Sequence, residues 1–283
     1  METREYGNTG EQLSIIGFGG IMVSKVSAGE ASSLVAEAVD RGVNYFDVAP
    51  TYGNAQQILG PALAPYRDDA FLACKTTERT AAGARRELEE SLKWMQTDHF
   101  DLYQMHAVNT DEDFDTITGT GGALEAFLEA KEKGQARYVG FSSHSAETAL
   151  RLIEAVDLDS VLFPINWSTW LGAGFGPQVV AAAQARGMGR LALKAMAYGK
   201  LEEGAAKKWS KCWYQPIEDP ALADLALRFS LSQPITAALP PGEPHFYPMA
   251  LDIGERFTAV TEDEIAELNR LTSESTPIFE LAA

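Results

Sequence analysis

The feature that most constrains the fold of this chain is a regular alternation of short apolar runs with longer amphipathic segments. The runs are typical of buried strands, and the segments carry apolar residues at helical spacing. Strands are predicted over 15–20, 43–47, 70–75, 100–106, 136–142, 160–165, 189–194 and 235–239. Helices are predicted over 28–41, 55–63, 80–94, 121–133, 146–155, 178–186, 220–230 and 247–257. Strict alternation of this kind predicts a parallel sheet.

Eight strand–helix units in roughly 250 residues match the size of a closed (β/α)8 TIM barrel. Residues 4–16 flank a Gly-Asn-Thr-Gly turn and predict a short N-terminal β-hairpin, while 262–271 predict an extra C-terminal helix capped by Thr261. An open doubly wound sheet is the alternative fold, but no Gly-x-Gly-x-x-Gly follows the first strand. No linker rich in Pro, Gly or Ser divides the chain, so we predict a single domain over 1–283.

Composition narrows the possible partners and the compartment. The formal net charge of −17 argues against binding to nucleic acid or to anionic lipid. The two cysteines form no Cys-x-x-Cys pair, which favours a reducing compartment and argues against an iron–sulfur or structural zinc site. No apolar run reaches the roughly 18 residues of a membrane span. We therefore predict a cytoplasmic protein that acts on a small molecule; its oligomeric state is left open.

Four side chains with acid–base chemistry stand at or after the ends of three successive predicted strands. Asp47 and Tyr52 follow the second strand, Lys75 closes the third and His106 closes the fourth. Each could instead have a purely structural role. In the order given, these roles are a helix cap, a tyrosine in a turn, a lysine that reaches solvent and a histidine in the core. Together they suit protonation of a carbonyl oxygen, because a lysine cation fixed by aspartate lowers the pKa of a nearby phenol. An imidazole can orient the carbonyl, and the hydride needs an outside source.

The segments that carry these residues resemble the aldo-keto reductase family. The similarity is strongest in GVNYFDVAPTYG over 42–53, and it extends to the GNTG and GFG segments near the amino terminus, CKT over 74–76 and DLYQMH over 101–106. The resemblance implies a (β/α)8 barrel that reduces aldehydes or ketones with a nicotinamide cofactor. It implies that Tyr52 is the general acid, that Asp47 and Lys75 tune its pKa, and that His106 orients the carbonyl.

The resemblance also implies a set of cofactor contacts, with several departures from the family pattern. Ser142 and the next position usually hold the carboxamide, and Ser143 stands where the family often has Asn. Phe163 is aligned with a glutamine that binds the carboxamide, and Leu193 with a tyrosine that stacks on the nicotinamide. The expected cofactor-binding residues are Gly19, Asp47, Ser142, Ser143, Leu193, Pro241 and Gly242.

The segment after the last strand decides between the two nicotinamide cofactors. A Pro-Pro-Gly turn over 240–242 resembles the phosphate-binding turn of the family, but Glu243, Pro244, His245 and Phe246 stand where Lys and Arg usually favour a 2′-phosphate. The resemblance to the family places NADP(H) slightly ahead, and the departure at 243–246 keeps NAD(H) close behind.

The substrate side and the rival functions remain open from the sequence. Trp167, Trp170 and the segment 211–214 supply aromatic side chains that could form an apolar pocket over the carbonyl. Two long loops, 107–119 and 195–219, follow the fourth and seventh strands on the face that carries barrel active sites. One alternative function is a Schiff-base aldolase or lyase with Lys75 or Lys194 as the amine. Another is a non-enzymatic barrel that binds a nicotinamide.

Overall fold

The computed structural model of the chain describes residues 1–202, 204 and 207–281. The chain begins with an antiparallel β-hairpin of β1 (Thr3–Glu5) and β2 (Gln12–Ser14). Eight parallel strands follow: β3 (Phe18–Gly19), β4 (Tyr45–Asp47), β5 (Phe71–Thr76), β6 (Phe100–Met105), β7 (Ala136–Ser142), β8 (Ser160–Pro164), β9 (Gly189–Leu193) and, after a small hairpin of β10 (Ala197–Lys200) and β11 (Tyr214–Pro216), β12 (Ala237–Leu239).

The eight parallel strands close into a barrel. Each strand pairs with the next, from β3 to β9 and then β12. The first and last strands meet at Ala238, whose N–H donates to Ile15 O at 2.8 Å and whose carbonyl accepts from Gly17 N at 3.0 Å. The predicted (β/α)8 barrel with its N-terminal hairpin is therefore confirmed.

Helices cover the outside of the barrel. They are α1 (Ala28–Asp40), α2 (Ala55–Leu63), α3 (Ala81–Met95), α4 (Asp111–Thr118), α5 (Ala123–Glu132), α6 (Ala146–Ala155), α7 (Pro177–Ala185), α8 (Pro220–Leu231), α9 (Tyr247–Glu255) and α10 (Glu262–Leu271). Several begin at a side-chain cap, because a hydroxyl or carboxylate there accepts one of the N–H groups that lack a partner in the first turn. The predicted cap Thr261 forms a full capping box with Glu264 on α10.

Alternate residues of each strand face two separate apolar regions. Those that face outward, such as Phe46, pack against the helices, while Tyr45 and Phe71 face the barrel interior. This period of two follows from strand geometry. In β5 it sends Cys74 outward and places Lys75 on the inner face with Ala73.

The hairpin closes the amino-terminal end of the barrel. Tyr6, directly after β1, is fully buried and packs on Phe71 with ring centroids 5.1 Å apart. The Tyr6 ring also lies against Gly189, where an added Cβ would be 2.3 Å from the ring. Only glycine allows this contact. Ligands therefore have to approach from the carboxyl-terminal end of the strands.

The structure corrects the sequence-based prediction in the two long loops. The segment 107–119 contains α4, and 195–219 contains the β10–β11 hairpin. The first barrel strand is shorter than predicted, because Ile15 and Ile16 lead from the hairpin into the barrel wall and only Phe18–Gly19 pairs with β4. A π-helical turn over Ser168–Gly172 follows β8. No helix in the part of the chain described is long and apolar enough to cross a membrane.

Candidate active site

The four predicted catalytic residues meet in one cavity at the carboxyl-terminal end of the barrel. Asp47 is the last residue of β4, Lys75 lies near the end of β5, and His106 follows β6 directly. Tyr52 comes from the turn between β4 and α2. All four line a cavity of about 200 Å³. Barrel geometry brings these four side chains together, because all the parallel strands end on this face.

Asp47 and Lys75 form a buried ion pair at the base of the cavity. Each is 1% exposed, and the Lys75 ammonium donates to Asp47 Oδ1. The other carboxylate oxygen, Oδ2, accepts from the Tyr45 hydroxyl and from Gln104 Nε2, both at 3.1 Å. A buried ion pair needs such extra hydrogen bonds to offset the loss of hydration. Sequence reasoning missed Tyr45 and Gln104, although both are polar residues within apolar runs that share the inner face of their strands.

Burial changes the expected acidity of Tyr52. Desolvation raises the pKa of the Tyr52 phenol, and the Lys75 cation lowers it without outweighing burial. The predicted effect of Lys75, to lower the pKa of Tyr52, is therefore present. The predicted net lowering of that pKa is wrong, because burial raises it more. Desolvation also lowers the pKa of Lys75, but Asp47 and Tyr52 together outweigh it and raise that pKa. The site therefore holds a protonated phenol beside a lysine cation.

His106 is a neutral imidazole in the cavity wall. Burial and the nearby Lys75 cation lower the pKa of His106 to about 3. Its ring is nearly perpendicular to that of Tyr52, at 88°, with centroids 6.1 Å apart. Its Nδ1 is buried and has no hydrogen-bond partner among the residues that the structure describes. One ring nitrogen of a neutral imidazole carries a proton and can donate it to a ligand in the cavity.

An ion pair outside the cavity fixes the backbone at His106. Arg79 Nη2 donates to the carbonyls of His106 and Ala107 at 2.8 and 3.0 Å, and Arg79 Nε donates to Asp113 Oδ1 at 2.7 Å. Asp113 lies in the first turn of α4. Ala107 has a φ of 54°, a left-handed conformation that costs energy for a residue with a Cβ. The contacts made by Arg79 help hold this strained turn.

The structure brings five of the seven predicted cofactor residues to the cavity. Asp47, Gly19, Ser142, Leu193 and Gly242 all line it. The Ser142 hydroxyl accepts from the N–H of residue 107 at 2.8 Å, which leaves its hydrogen to donate to a ligand. Leu193, the last residue of β9, offers an apolar surface to the cavity.

Ser143 and Pro241 are not among the residues that line the cavity. The Ser143 hydroxyl donates to Ser145 O at 3.0 Å and accepts from Ser145 N at 3.0 Å, at the start of α6. Its hydrogen bonds are therefore used within the turn. The neighbours of Pro241 in the chain, Pro240 and Gly242, face the cavity instead.

The predicted alignment of Phe163 with a cofactor-binding position is not supported. Phe163 faces the helices and stacks on Phe175, with centroids 5.0 Å apart. Leu162, one residue earlier, faces the barrel interior and lines the cavity. A strand changes face at every residue, so a shift of one position exchanges inside for outside.

Glu243 is turned toward the long loop after β9. Its Oε1 accepts from Lys211 N at 2.6 Å and from the Ser210 hydroxyl at 3.4 Å. The side chain of Lys211 donates in turn to Met22 O at 2.7 Å, across the cavity rim. The carboxylate that was expected to repel a 2′-phosphate is therefore held by the loop.

The predicted aromatic residues divide into two groups. Trp213 and Tyr214 line the cavity. Trp167 is fully buried in the core between strands and helices, and Trp170 packs edge-on against Phe229. These two tryptophans support the loop after β8 and do not line the cavity.

His144 is a cavity residue that sequence reasoning did not select. It stacks on Phe279, with centroids 5.1 Å apart, and burial lowers its pKa to about 4. The sequence does place His144 two residues beyond β7, at the carboxyl-terminal end of the barrel where the other site residues lie. Phe279 lies more than 130 positions later, so no local pattern predicts the stack.

Comparison with known proteins identifies the family. A sequence model described as the aldo/keto reductase family matches residues 15–244. The chain belongs to the aldo/keto reductase family. It is 28% identical over 180 residues to the uncharacterized oxidoreductase YqkF of Bacillus subtilis, an alignment that covers 59% of this chain and 56% of the relative. It is 26% identical over 231 residues to L-galactose dehydrogenase of Arabidopsis thaliana, covering 74% of this chain and 70% of that one.

A solved structure supports the same fold. The aldo-keto reductase AKR11C1 from Bacillus halodurans, in its holo form, superposes with a TM-score of 0.74 at 22% identity over 96% of both chains. The predicted family and barrel are confirmed, while the roles of individual residues stay predictions.

Proposed function

We propose that the protein reduces an aldehyde or ketone to an alcohol with a nicotinamide cofactor. The observation that carries the proposal is the meeting of a phenol, a buried lysine–aspartate pair and a neutral imidazole in one cavity of an aldo/keto reductase barrel. The names of the two relatives described above, an oxidoreductase and a dehydrogenase, support redox chemistry.

In this proposal Tyr52 protonates the carbonyl oxygen. The phenol is held protonated by burial, so the proton is present before reaction. As negative charge develops on the substrate oxygen, the proton moves to it, and the Lys75 cation stabilises the phenolate left behind. His106, as a neutral donor, hydrogen-bonds the same oxygen and orients the carbonyl. A reduced nicotinamide, when bound, supplies the hydride.

The cavity walls suit a nicotinamide cofactor. Leu162 and Leu193 offer apolar surface for a ring, and the Ser142 hydroxyl can donate to a carboxamide. Gly242 lies against Ile21, where an added Cβ would meet the Ile21 side chain at 2.4 Å, and Lys211 is the nearby cation for phosphates. Because Glu243 is engaged by the loop, we expect NADP(H) to bind, with NAD(H) close behind.

The lowered pKa of Lys194 is compatible with the alternative function, a Schiff-base aldolase or lyase. Lys75 is paired with Asp47 and stays cationic, which argues against it as a nucleophile. Burial lowers the pKa of Lys194 to about 8. The neutral amine, which is the nucleophilic form, is therefore more populated than it is for an exposed lysine. Reduction with borohydride in the presence of an aldehyde would trap a Schiff base on Lys194, and mass spectrometry would locate it.

The deciding experiment compares Tyr52→Phe with the wild type. Oxidation of NADPH and NADH is followed with a panel of aldehydes, ketones and sugars. Oxidation of L-galactose is followed in the reverse direction, as reduction of NADP+ and NAD+. We expect kcat to fall at least about a hundredfold, because a general acid contributes that much. The dissociation constants of both cofactors, measured by tryptophan fluorescence, should change less than about twofold.

The matched control is Tyr66→Phe, which removes a hydroxyl from the short helix after α2, outside the cavity. It should leave kcat and cofactor binding unchanged. Near-normal turnover by Tyr52→Phe would rule out the proton-donor role. Absence of binding of either cofactor to the folded wild type would rule out the reductase proposal.

A further inference from the structure

Lys194 is a cavity lysine that the proposed reaction does not use. It follows β9 directly and has a φ of 68°, an uncommon left-handed conformation for a residue with a Cβ. Its Nζ lies 5.0 Å from the ring centroid of Trp213 and 4.9 Å from that of Tyr214. Both aromatic residues belong to the loop that covers one side of the cavity.

No carboxylate pairs with Lys194 within residues 1–202, 204 and 207–281. Burying a cation without a counter-ion is costly, and the two ring faces offset only part of the cost. Burial accordingly lowers the pKa of Lys194, to about 8. The amine is still mostly protonated at neutral pH, so an anion that enters the cavity would meet a poorly hydrated cation.

Lys194 is the charged group that acts on His144 in the cavity wall. Lys75 is paired with Asp47, although its charge still acts on His106, and the low pKa values of His106 and His144 keep both rings uncharged. The positive charge of Lys194 contributes to both of those histidine shifts. A ligand anion near the His144 ring would therefore interact chiefly with Lys194, while an anion near His106 would also be attracted by Lys75.

The cavity has a second lysine beside the turn that follows β12. Lys211 lies beside Gly242 and is tied to Met22 O and, through its backbone, to Glu243. That end carries the turn proposed to hold the cofactor phosphates. Lys194, close to Trp213 and the histidines, stands on the side where aromatic loop residues would surround a substrate.

We propose that Lys194 binds a carboxylate or phosphate group carried by the carbonyl substrate, so that the enzyme prefers anionic aldehydes or ketones. The inference rests on the proposed function for its substrate chemistry, while its anion site can be tested by binding alone. It names a residue that determines specificity, distinct from the four residues that act on the carbonyl.

The kinetic test compares 4-carboxybenzaldehyde with its neutral methyl ester, methyl 4-formylbenzoate. For the wild type we expect a kcat/KM at least about tenfold higher for the acid, in keeping with a charge-assisted hydrogen bond. Lys194→Gln should raise KM for the acid by a similar factor and leave KM for the ester within about twofold. Lys194→Arg, which retains the charge, should preserve most of the preference.

The binding test uses the corresponding alcohol product, 4-(hydroxymethyl)benzoate, titrated against tryptophan fluorescence with no cofactor present. Lys194→Gln should weaken its binding about tenfold, and Lys194→Arg should not. This result would support the anion site even if the wild type reduced neither of these aldehydes, because the proposed reductase function is tested separately by the substrate panel and by cofactor binding.

Three results would overturn the inference. Equal losses for acid and ester would mean that Lys194 supports the fold of the cavity. A tenfold loss of NADPH affinity in Lys194→Gln, with the acid preference retained, would assign the cation to the cofactor phosphates. A borohydride-trapped adduct on Lys194 would show that the residue acts as an amine nucleophile.

Discussion

At the scale of single residues, the Asp47–Lys75 pair links stability to the proposed chemistry. Both side chains are 1% exposed, so removing one charge leaves the other buried without a partner. We expect Asp47→Asn to lower the free energy of unfolding by about 3–5 kcal/mol, measured by urea denaturation, and to abolish most turnover. The double variant Asp47→Asn with Lys75→Met should recover much of the stability without recovering turnover. Equal instability of both variants would contradict this account.

The sequence predicts which residues build the centre of the site, but it does not predict their electrostatics. Asp47, Tyr52, Lys75 and His106 could be selected because each stands at or just after a strand end. The supporting bonds from Tyr45 and Gln104 could not, since they depend on how neighbouring strands align. The net shift of the Tyr52 pKa depends on burial from all sides, which no local pattern reports.

At the scale of elements, α4 acts on the site through Asp113 and Arg79. We expect Asp113→Ala to reduce the free energy of unfolding by about 1–2 kcal/mol, because it removes a charge-assisted hydrogen bond. We also expect kcat to fall about tenfold, since the turn at His106 loses part of its support. NADPH affinity should stay unchanged, which a general loss of structure would not permit.

The control for this prediction is Glu112→Ala, in the same helical turn. Glu112 is exposed and makes no ion pair among the residues described. Kinetics and denaturation should match the wild type. A loss of stability without a loss of kcat in Asp113→Ala would mean that Asp113 stabilises α4 but does not position His106.

Most elements follow from sequence periodicity, and the exceptions have a physical reason. α4 spans only eight residues, and its single clear signal is Thr110 followed by three acids, where Thr110 caps the helix. The β10–β11 hairpin pairs residues separated by a long connection, so no tight turn predicts it. Contacts between distant segments determine the hairpin, while α4 is too short for periodicity to predict it.

At the scale of the whole molecule, the barrel has one closed end and one open end. Tyr6 and the hairpin fill the amino-terminal end, and the four predicted catalytic residues line the cavity at the other end. Regular alternation predicts the barrel but not this difference between its ends. The difference depends on close contacts such as Tyr6 with Gly189.

Burial of two neutral histidines predicts a pH dependence of global stability. The pKa values of His106 and His144 are lowered to about 3 and about 4 in the folded protein, against about 6.5 for an unfolded chain. Between pH 7 and pH 5 the unfolded state therefore binds more protons, and stability falls as pH falls. Each histidine contributes about 1–2 kcal/mol of this loss at pH 5.

Urea denaturation at pH 7, 6 and 5 measures the effect above the range in which most carboxylates titrate. The double variant His106→Gln with His144→Gln should show a clearly smaller loss of stability over this interval than the wild type. His245→Gln is the control, because His245 is exposed and stacks on Trp209 outside the cavity. If the double variant lost stability as steeply as the wild type, protons taken up elsewhere would account for the pH dependence, and the buried neutral histidines would not.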